Sequence, residues 1–540
     1  MLTEKLLAID PVIIAVYLVV SLLLGIFGSR LLGMNNSKED DYYLAGRKMP
    51  GWLNGMSVAA TALNSDVAPL YCGIAVVTGL SGCWFFLSRF GMALLLAAIL
   101  FAVRWRQMGI RTGPEFFHLR FGAGNKFARV YSSLTSVLIG MVPWIGAGLI
   151  GIHLVAAPIF GIDSKAVTLL IVLPLLTVYV WTSGLAGVLL TDALQGFVIL
   201  AANLVMVGAV LWAFGGPSGL AEAVMSAAGP ETGGAILSIL PQAGNPVLSP
   251  LSIFAWMLIV SVGAGSAVGA DGQRLFSCRS NREAAKVGIW GEVILFAMLL
   301  MLMLPAMGLL ARHPEFYTAS PSEREFAYGK MLSEFLPRGG VGLTVAALLA
   351  AVMSTISTHL NYGSQTLLND VWRPLVGEPK PGREVWIGRL LPLIPWWAAE
   401  IARGPAEAQN MQLLQAVVAL AVNTGIWLAV TVLTRPEDME VLKEFYLRAR
   451  PMGCWGPVRR ALIAEGRLPE EPAPSLILPG VGVAAVGFAM IAAGVLTAST
   501  LYVGKYLEAA LCGAACLVAG VVFKMIFNRY ISRLTVSRES

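Results

Sequence analysis

The sequence predicts an all-α, polytopic membrane protein, and three observations support this fold class. Of the 540 residues, 57% are hydrophobic and 13% are charged, and the mean hydropathy is +0.73, whereas average soluble domains have about 25% charged residues. Apolar stretches of about 20 residues, long enough to cross about 30 Å of hydrocarbon, recur along the whole chain. The basic residues gather between these stretches, as the positive-inside bias predicts, so the net charge of +6 does not indicate a nucleic-acid partner.

The apolar stretches define the predicted spans. Twelve of them lie near 11–32, 52–79, 83–103, 129–158, 166–182, 185–214, 250–274, 285–311, 341–371, 411–434, 476–499 and 505–527. The segment 385–402 is less apolar, because it contains Arg389, Pro392, Pro395 and Glu400. Counting it gives about 13 spans and places every basic loop on the cytoplasmic side. The chain is therefore expected to be integral to the cell (inner) membrane, with its amino terminus outside and its carboxyl terminus in the cytoplasm.

Two of the apolar stretches are interrupted by residues that break helices. Asn64, Ser65, Asp66 and Pro69 interrupt the run 57–79, and a glycine-rich sequence with Asp271 interrupts the run 261–272. Backbone carbonyls freed at such a break can bind a cation. Paired interrupted helices in the two halves of a membrane protein point to a binding site near the midplane of the bilayer.

Hydroxyl and amide side chains follow one side of the predicted helix 341–371. These positions recur at spacings of three and four residues: Ala351, Ser354, Thr355, Ser357, Thr358, Asn361 and Ser364. Hard cations bind several oxygen ligands, and polar rows inside membranes face cavities or ion pathways. Such hydroxyls can instead bond to their own backbone or join neighbouring helices. Because seven positions share one side, we favour a cation site.

Five motifs give the chain a family resemblance. They are DYYLAGRKMPGWLNGMSVAAT (41–61), TGPEFFHLRFG (112–122), LLTDALQG (189–196), GQRLFSCRSNREA (272–284) and MSTISTHLNYGSQTLLNDVW (353–372). Each motif is modest by itself, but the five occur in order over roughly two thirds of the chain. In these motifs the chain resembles the sodium:solute symporter family.

The resemblance implies an inverted-repeat (5+5) transporter fold with discontinuous first and sixth core helices. It implies a single transmembrane domain over 1–540. The parts would be an extra N-terminal helix (11–32), a first core repeat (52–214), a second core repeat (250–434), a cytoplasmic loop (435–475) and two C-terminal helices (476–527).

The resemblance also implies sodium ligands. A first Na⁺ would be held by the backbone carbonyls of Ala60, Leu63 and Ala351 and the hydroxyls of Ser354 and Thr355. A second Na⁺, as in some relatives, would be held by Asp192 together with Ser354, Ser357 and Thr358. The alternative role for Asp192 is a carboxylate that is salt-bridged or caps a helix.

Several polar side chains near the breaks are candidates for binding the solute: Asn64, Ser65, Asp66, Arg89 and Asp271. Asp66 can accept a hydrogen bond from an amine or hydroxyl, or it can cap the second half-helix. Arg89 can clamp a carboxylate, or it can pair with Asp66 or Glu292. The region 263–272 contains no aromatic residue, unlike sugar-carrying relatives, so the sequence does not support a sugar substrate.

These features predict a sodium-coupled symporter that imports a small polar organic solute by alternating access. Its expected partners are sodium, the solute and the lipid bilayer, and its oligomeric state is not predicted. The alternative is a membrane sensor or channel on the same scaffold. An enzyme is not expected, because His359 follows Ser357 and Thr358 too closely to share their side of the helix as a paired base.

Overall fold

The computed structural model describes residues 7–122, 126–146, 164–245, 247–266, 269–324, 326–380, 437–469 and 476–536, and isolated positions between these ranges. The described residues are predominantly helical. Apart from an isolated bridge between Met49 and Cys278, they contain no β-strand. The predicted all-α class is therefore confirmed.

The helices follow the chain in one order. They are α1 Ile9–Leu31, α2 Glu39–Leu44, α3 Gly51–Ala62, α4 Val67–Thr78, α5 Cys83–Phe86, α6 Met92–Leu96, α7 Ala102–Gln107, α8 Glu115–Phe121, α9 Lys126–Thr135, α10 Lys165–Ala213, α11 Pro217–Ile236, α12 Pro250–Val262, α13 Ala270–Ser277, α14 Asn281–Met303, α15 Ala306–Arg312, α16 Pro321–Arg324, α17 Ala327–Phe335, α18 Val341–Thr366, α19 Arg373–Val376, α20 Met439–Ala449, α21 Gly456–Ala464, α22 Ile477–Tyr502 and α23 Tyr506–Val536. Short 3-10 or π turns lie between some of them, at Ala45–Arg47, Gly79–Gly82, Leu87–Gly91, Ala97–Phe101, Ser136–Met141, Gly263–Ser266, Pro314–Thr318 and Leu367–Trp372.

The first predicted break separates α3 from α4. Leu63 has extended backbone angles (φ −95°, ψ 92°), and the backbone becomes helical again at Val67. The Asn64 side chain accepts a hydrogen bond from the Ser65 N–H at 3.0 Å, which stabilises the non-helical turn. Pro69 lies in the first turn of α4, where its missing N–H leaves no helical hydrogen bond unmade.

The second predicted break separates α12 from α13. Helix α12 begins with a capping box, in which the Ser249 side chain accepts a hydrogen bond from the Ser252 N–H. It ends at Val262, and the 3-10 turn Gly263–Ser266 precedes α13. Because glycine weakens a helix interior, this glycine-rich run ends the helix in the middle of the predicted span.

Close helix packing brings these parts together. A Cβ placed on Gly55 of α3 would lie 2.6 Å from the Trp290 Cβ and 2.8 Å from the Gly291 N of α14, so only glycine permits this approach. The long helix α10 turns sharply at Gly184, where φ is +59°, between the predicted spans 166–182 and 185–214. Its second part packs against α1 and α18.

Among the described residues, seven helical stretches are long and apolar enough to cross a membrane: Ile9–Leu31, Val67–Gln107, Ser183–Ala213, Asn281–Arg312, Val341–Val376, Ile477–Tyr502 and Tyr506–Leu534. The shorter apolar helix Pro250–Val262 adds to these. The predicted spans 129–158, 385–402 and 411–434 lie partly or almost wholly outside the described residues. The total of about 13 spans therefore stays a prediction.

Candidate cation site

The hydroxyl-bearing side of α18 lies against the break between α3 and α4. The Thr355 hydroxyl donates to the carbonyl oxygen of Thr61 at 3.1 Å and to that of Ala351 at 2.9 Å. The Thr61 hydroxyl contacts the Ser354 hydroxyl at 3.4 Å. All seven positions of the polar side of α18 are buried, so these side chains face the protein interior.

The five residues expected to hold the first sodium converge on this contact. Leu63 and Ala351 line the same cavity, and Thr355 joins Ala351 to the end of α3. The Ala60 carbonyl accepts the Leu63 N–H at 3.3 Å, a long bond in the last turn of α3. Carbonyl and hydroxyl oxygens therefore meet where the end of α3 contacts α18, and they are the ligand type that a hard cation requires.

A buried arginine lies beside this contact and connects three helices. Arg274 of α13 donates from Nε and Nη2 to the Ser57 hydroxyl, at 3.1 and 2.9 Å, and from Nη2 to Thr61 at 3.4 Å. Its guanidinium also donates to the Thr358 hydroxyl and forms an ion pair with Asp192 Oδ2 at 3.5 Å. Both charged side chains are fully buried.

Arg274 therefore contacts two residues of the predicted second sodium site, Asp192 and Thr358. The Ser57 hydroxyl donates to Asp192 Oδ2 as well. Another residue of that set, Ser357, donates to the carbonyl of Ser354, the fourth, in its own helix at 3.1 Å. In this conformation, the guanidinium supplies the positive charge that balances the Asp192 carboxylate, so the second site stays a prediction.

The residues that the sequence suggested for solute binding differ in their hydrogen-bond partners and in their exposure. Asn64 donates to the Trp144 carbonyl at 3.0 Å, and Ser65 donates to the Gly148 carbonyl at 3.0 Å. Asp66 is partly buried, and its Oδ1 has no hydrogen-bond partner among the described residues. Asp271 is exposed at the start of α13, one turn before Arg274.

Arg89 lies apart from this group. Its guanidinium carbon is 3.6 Å from the ring centre of Phe85 and 4.6 Å from that of Trp256. Within the described part of the chain, it has no ion pair with Asp66 or Glu292, the two acids that the sequence suggested. Stacking between two aromatic rings stabilises a guanidinium by cation–π attraction.

A cavity of about 40 Å³ adjoins the break. Its polar lining includes Asn64, Asn203, Tyr328 and Thr344, and Leu63 and Ala351 also line it. This volume admits a few water molecules but is far below the roughly 300 Å³ of small-molecule pockets. The cavity is too small for an organic solute in this conformation.

Sequence reasoning missed four residues of the site: Ser57, Thr61, Arg274 and Gln273. Ser57 and Thr61 are four residues apart on α3, so their shared side was a readable signal. Gln273 donates to the Tyr43 carbonyl at 2.8 Å and to Asn361 at 2.7 Å. Gln273 and Arg274 belong to the motif GQRLFSCRSNREA (272–284), but the sequence does not reveal which distant side chains they contact.

Two broken helices around a buried polar cluster define a class of protein, the membrane transporters with inverted repeats. A solved structure described as the substrate-bound outward-open state of a Na⁺-coupled sialic acid symporter has this fold. It is 18% identical to the chain, with a TM-score of 0.59, and the match covers 95% of this chain and 96% of that one. The predicted inverted-repeat fold is thus confirmed.

The model of the sodium:solute symporter family matches residues 42–434, so the chain belongs to that family. Among its relatives, solute carrier family 5 member 4 of Rattus norvegicus is 24% identical over 407 residues, covering 71% of this chain and 60% of that protein. Sodium/glucose cotransporter 1 of Ovis aries is 24% identical over 414 residues, covering 72% of this chain and 61% of that protein. The matched region thus spans about three fifths of the length of these two relatives.

Proposed function

We propose that the protein is a sodium-coupled symporter that imports a small polar organic solute across the cell membrane, and that it is not an enzyme. The observation that supports this most directly is the contact between the hydroxyl side of α18 and the break between α3 and α4. Transport would occur by alternating access around this site, with the amino terminus outside and the carboxyl terminus in the cytoplasm. Relatives named as sodium cotransporters support sodium as the coupling ion.

The first Na⁺ would bind the carbonyls of Ala60, Leu63 and Ala351 and the hydroxyls of Ser354 and Thr355. Burial of all five residues favours this assignment, because an ion shielded from bulk water interacts strongly with each oxygen. In this conformation the Thr355 hydroxyl donates to carbonyls. An ion entering the site would bind lone pairs of this hydroxyl and of the Ala351 carbonyl at once.

The second Na⁺ would bind Asp192, Ser357 and Thr358, with Ser354. Since Arg274 contacts both Asp192 and Thr358, the ion and the guanidinium would compete for the same oxygens. Sodium binding would then require Arg274 to move away from Asp192. Such an exchange would couple the ion to the position of α13, the inner half of the broken sixth core helix.

The solute would bind near the two breaks, where Asn64, Ser65, Asp66 and Asp271 offer polar groups. The unpartnered Oδ1 of Asp66 is suited to an amine or hydroxyl of the solute. Arg89 would clamp a solute carboxylate only if it left its position between Phe85 and Trp256. The pocket would have to widen, since the present cavity holds about 40 Å³.

Equilibrium binding of ²²Na⁺ to the purified protein tests the ion assignment without knowledge of the solute. Ser354→Ala and Thr355→Ala should each weaken binding at the first site by at least roughly fivefold, the loss expected for one ligand. Ser499→Ala is a matched control, since Ser499 is equally buried but bonds to its own helix in α22. Wild-type protein that binds no sodium would refute the proposal.

The second site has its own test. Asp192→Asn should lower the Hill coefficient of sodium binding toward one if two ions bind. A wild-type coefficient already near one, unchanged in the variant, would remove the second site and leave the first intact.

A thermal-shift screen would then identify the solute class. Amino acids, carboxylates, sugars and quaternary amines would each be added with and without sodium, because a ligand that binds the folded state raises its apparent stability. A symporter ligand should produce a larger shift with sodium than without it. Equal shifts would favour the alternative of a sensor or channel, in which the ion and the ligand act independently.

A further inference from the structure

The extra N-terminal helix is fixed to the transporter core at both ends. At its N-terminal end, Asp10 Oδ1 accepts a hydrogen bond from the Gly342 N–H of α18 at 2.6 Å. At its C-terminal end, the Ser29 hydroxyl donates to the Ser183 carbonyl at the bend of α10. Helix α1 is therefore a part of the core packing, and its middle section faces α10 and α18.

The middle section of α1 presents two polar side chains, Tyr17 and Ser21, which are four residues apart and lie on one side of the helix. Opposite them on α10 are Asp192 and Gln195, which also share a side. We call these four residues the α1 chamber. Tyr17 is 6% exposed and the other three are 0% exposed.

Most polar atoms of the α1 chamber have no direct partner. Among the described residues, the Ser21 hydroxyl, both amide atoms of Gln195 and Oδ1 of Asp192 have no hydrogen bond of ordinary distance and angle. The Tyr17 hydroxyl donates to the thioether sulfur of Met353 at 3.5 Å, a weak acceptor. The same hydroxyl lies within reach of weak hydrogen bonds to the Ser21 and Gln195 side chains and near enough to Asp192 to interact with its charge.

Four buried polar atoms that lie close together without a well-formed direct hydrogen bond point to a small bridging ligand. Each would cost about 1–3 kcal/mol if it remained unsatisfied. Polar groups that face each other without a direct hydrogen bond are commonly bridged by water, and a buried water makes about three hydrogen bonds. The α1 chamber offers both donors and acceptors, and enough of them for the roughly three hydrogen bonds of a buried water molecule.

A neutral ligand fits the charges better than a second cation. The Asp192 carboxylate already pairs with Arg274 through Oδ2, so another positive ion would add a buried charge with no partner among these four residues. In addition, the Gln195 amide nitrogen can only donate hydrogen bonds, and a water oxygen accepts such a bond whereas a cation does not.

We propose that the α1 chamber binds ordered water, and that through this water the N-terminal helix sets how strongly Asp192 holds a cation. The second half of this statement rests on the proposed second sodium site. The water hydrogen-bonds Oδ1 and orients the carboxylate, while Oδ2 stays available to Arg274 or to an ion. Helix α1 thereby affects the ion site from the Oδ1 side of Asp192, without contacting the ion that would bind Oδ2.

Pulsed hydroxyl-radical labelling of the full-length protein in detergent tests the water directly, because radicals formed from bound water oxidise adjacent buried side chains. Met353 and Tyr17 should be oxidised although they are buried. Met298 is the internal control, since it is 0% exposed and belongs to the apolar core. Oxidation of Met353 no faster than that of Met298 would overturn the water site.

Gln195→Met and Tyr17→Phe test the link to Asp192. Both keep the side-chain volume and remove hydrogen bonds to the chamber, so Met353 labelling should fall toward the Met298 level. The affinity for ²²Na⁺ at the second site, the part of sodium binding that Asp192→Asn removes, should fall by roughly fivefold, as for the loss of one hydrogen bond. Ser499→Ala should change neither measurement.

The outcomes separate the two proposals. If Gln195→Met lowers the labelling of Met353 but leaves the sodium affinity unchanged, the link between α1 and Asp192 is overturned. Wild-type protein that binds no sodium would refute the symporter proposal, and the labelling would still decide whether the chamber holds water. A sodium-dependent loss of Met353 labelling would show that an ion replaces the water, and would overturn the neutral ligand.

Discussion

The ion pair between Arg274 and Asp192 gives the sharpest test of how the site is held together. We consider Arg274→Met, Asp192→Asn and the double variant. Both side chains are fully buried, and they are 82 residues apart in the sequence. Each single change leaves one buried charge without the partner that it has now.

The structure sets the size of the effect. Arg274 donates to Ser57, Thr61, Thr358 and the Ala270 carbonyl as well as to Asp192. Removal of one partner from a buried pair typically costs about 3–5 kcal/mol, most of which is the desolvation of the charge that remains. The double variant leaves no isolated charge. Its loss of unfolding free energy should therefore be smaller, by about 1–3 kcal/mol, than the sum of the losses in the two single variants.

Thermal unfolding in detergent without sodium measures these differences. The control is Arg467→Met, which breaks a partly exposed ion pair with Glu444 at 2.8 Å and should cost about 0–1 kcal/mol. Two results would refute the reasoning. One is a loss of stability in Arg274→Met that is no larger than the loss in the control. The other is a double variant whose loss of stability equals the sum of the losses in the two single variants.

Three further predictions concern other parts of the molecule. Glu292→Gln should raise the apparent Tm, since Glu292 is fully buried and neither carboxylate oxygen has a partner among the described residues; a fall of several degrees would reveal a cation that balances it. Burial raises the pKa of Glu334, but hydrogen bonds and charges from His313 and neighbouring basic residues lower it below its ordinary value. Glu334→Gln should therefore lower the Tm near pH 7. The difference from wild type should shrink once the pH falls below the ordinary glutamate pKa of about 4.3 and vanish only below the lowered pKa of Glu334, measured by unfolding at a series of pH values; a pH-independent difference would contradict this. Gly342→Ala should lower the Tm, because the new Cβ would lie 2.5 Å from the Asp10 carbonyl oxygen, and an unchanged Tm would mean that α1 is not fixed to α18 at this point.

Local patterns were sufficient for much of the fold. The breaks at Asn64–Asp66 and in the glycine-rich run after Val262 were predicted because the residues responsible act on their own backbone. The bend at Gly184 falls between two predicted spans for the same reason. The buried side of α18 followed from helical periodicity, since six polar residues on one side of an apolar helix are costly to place in lipid.

Long-range pairing was not predictable in the same way. The sequence suggested Asp66 or Glu292 as a partner for Arg89, whereas the structure stacks Arg89 between Phe85 and Trp256. It also left Arg274 without a role, although this side chain joins α3, α10 and α18. Any buried charge needs a partner, but the sequence does not state which of several distant groups folding will bring near.

By itself, therefore, the sequence determined the class of the protein, the positions of its helix breaks and the polar side of α18. These depend on composition, periodicity and local backbone preferences, which act over a few residues. Only the tertiary structure decided that Arg274 occupies the oxygens around Asp192, and that the N-terminal helix encloses polar atoms on the other side of that carboxylate. Such choices depend on contacts across 82 to 217 residues of chain, where the packing of whole helices sets which charges and hydroxyls meet.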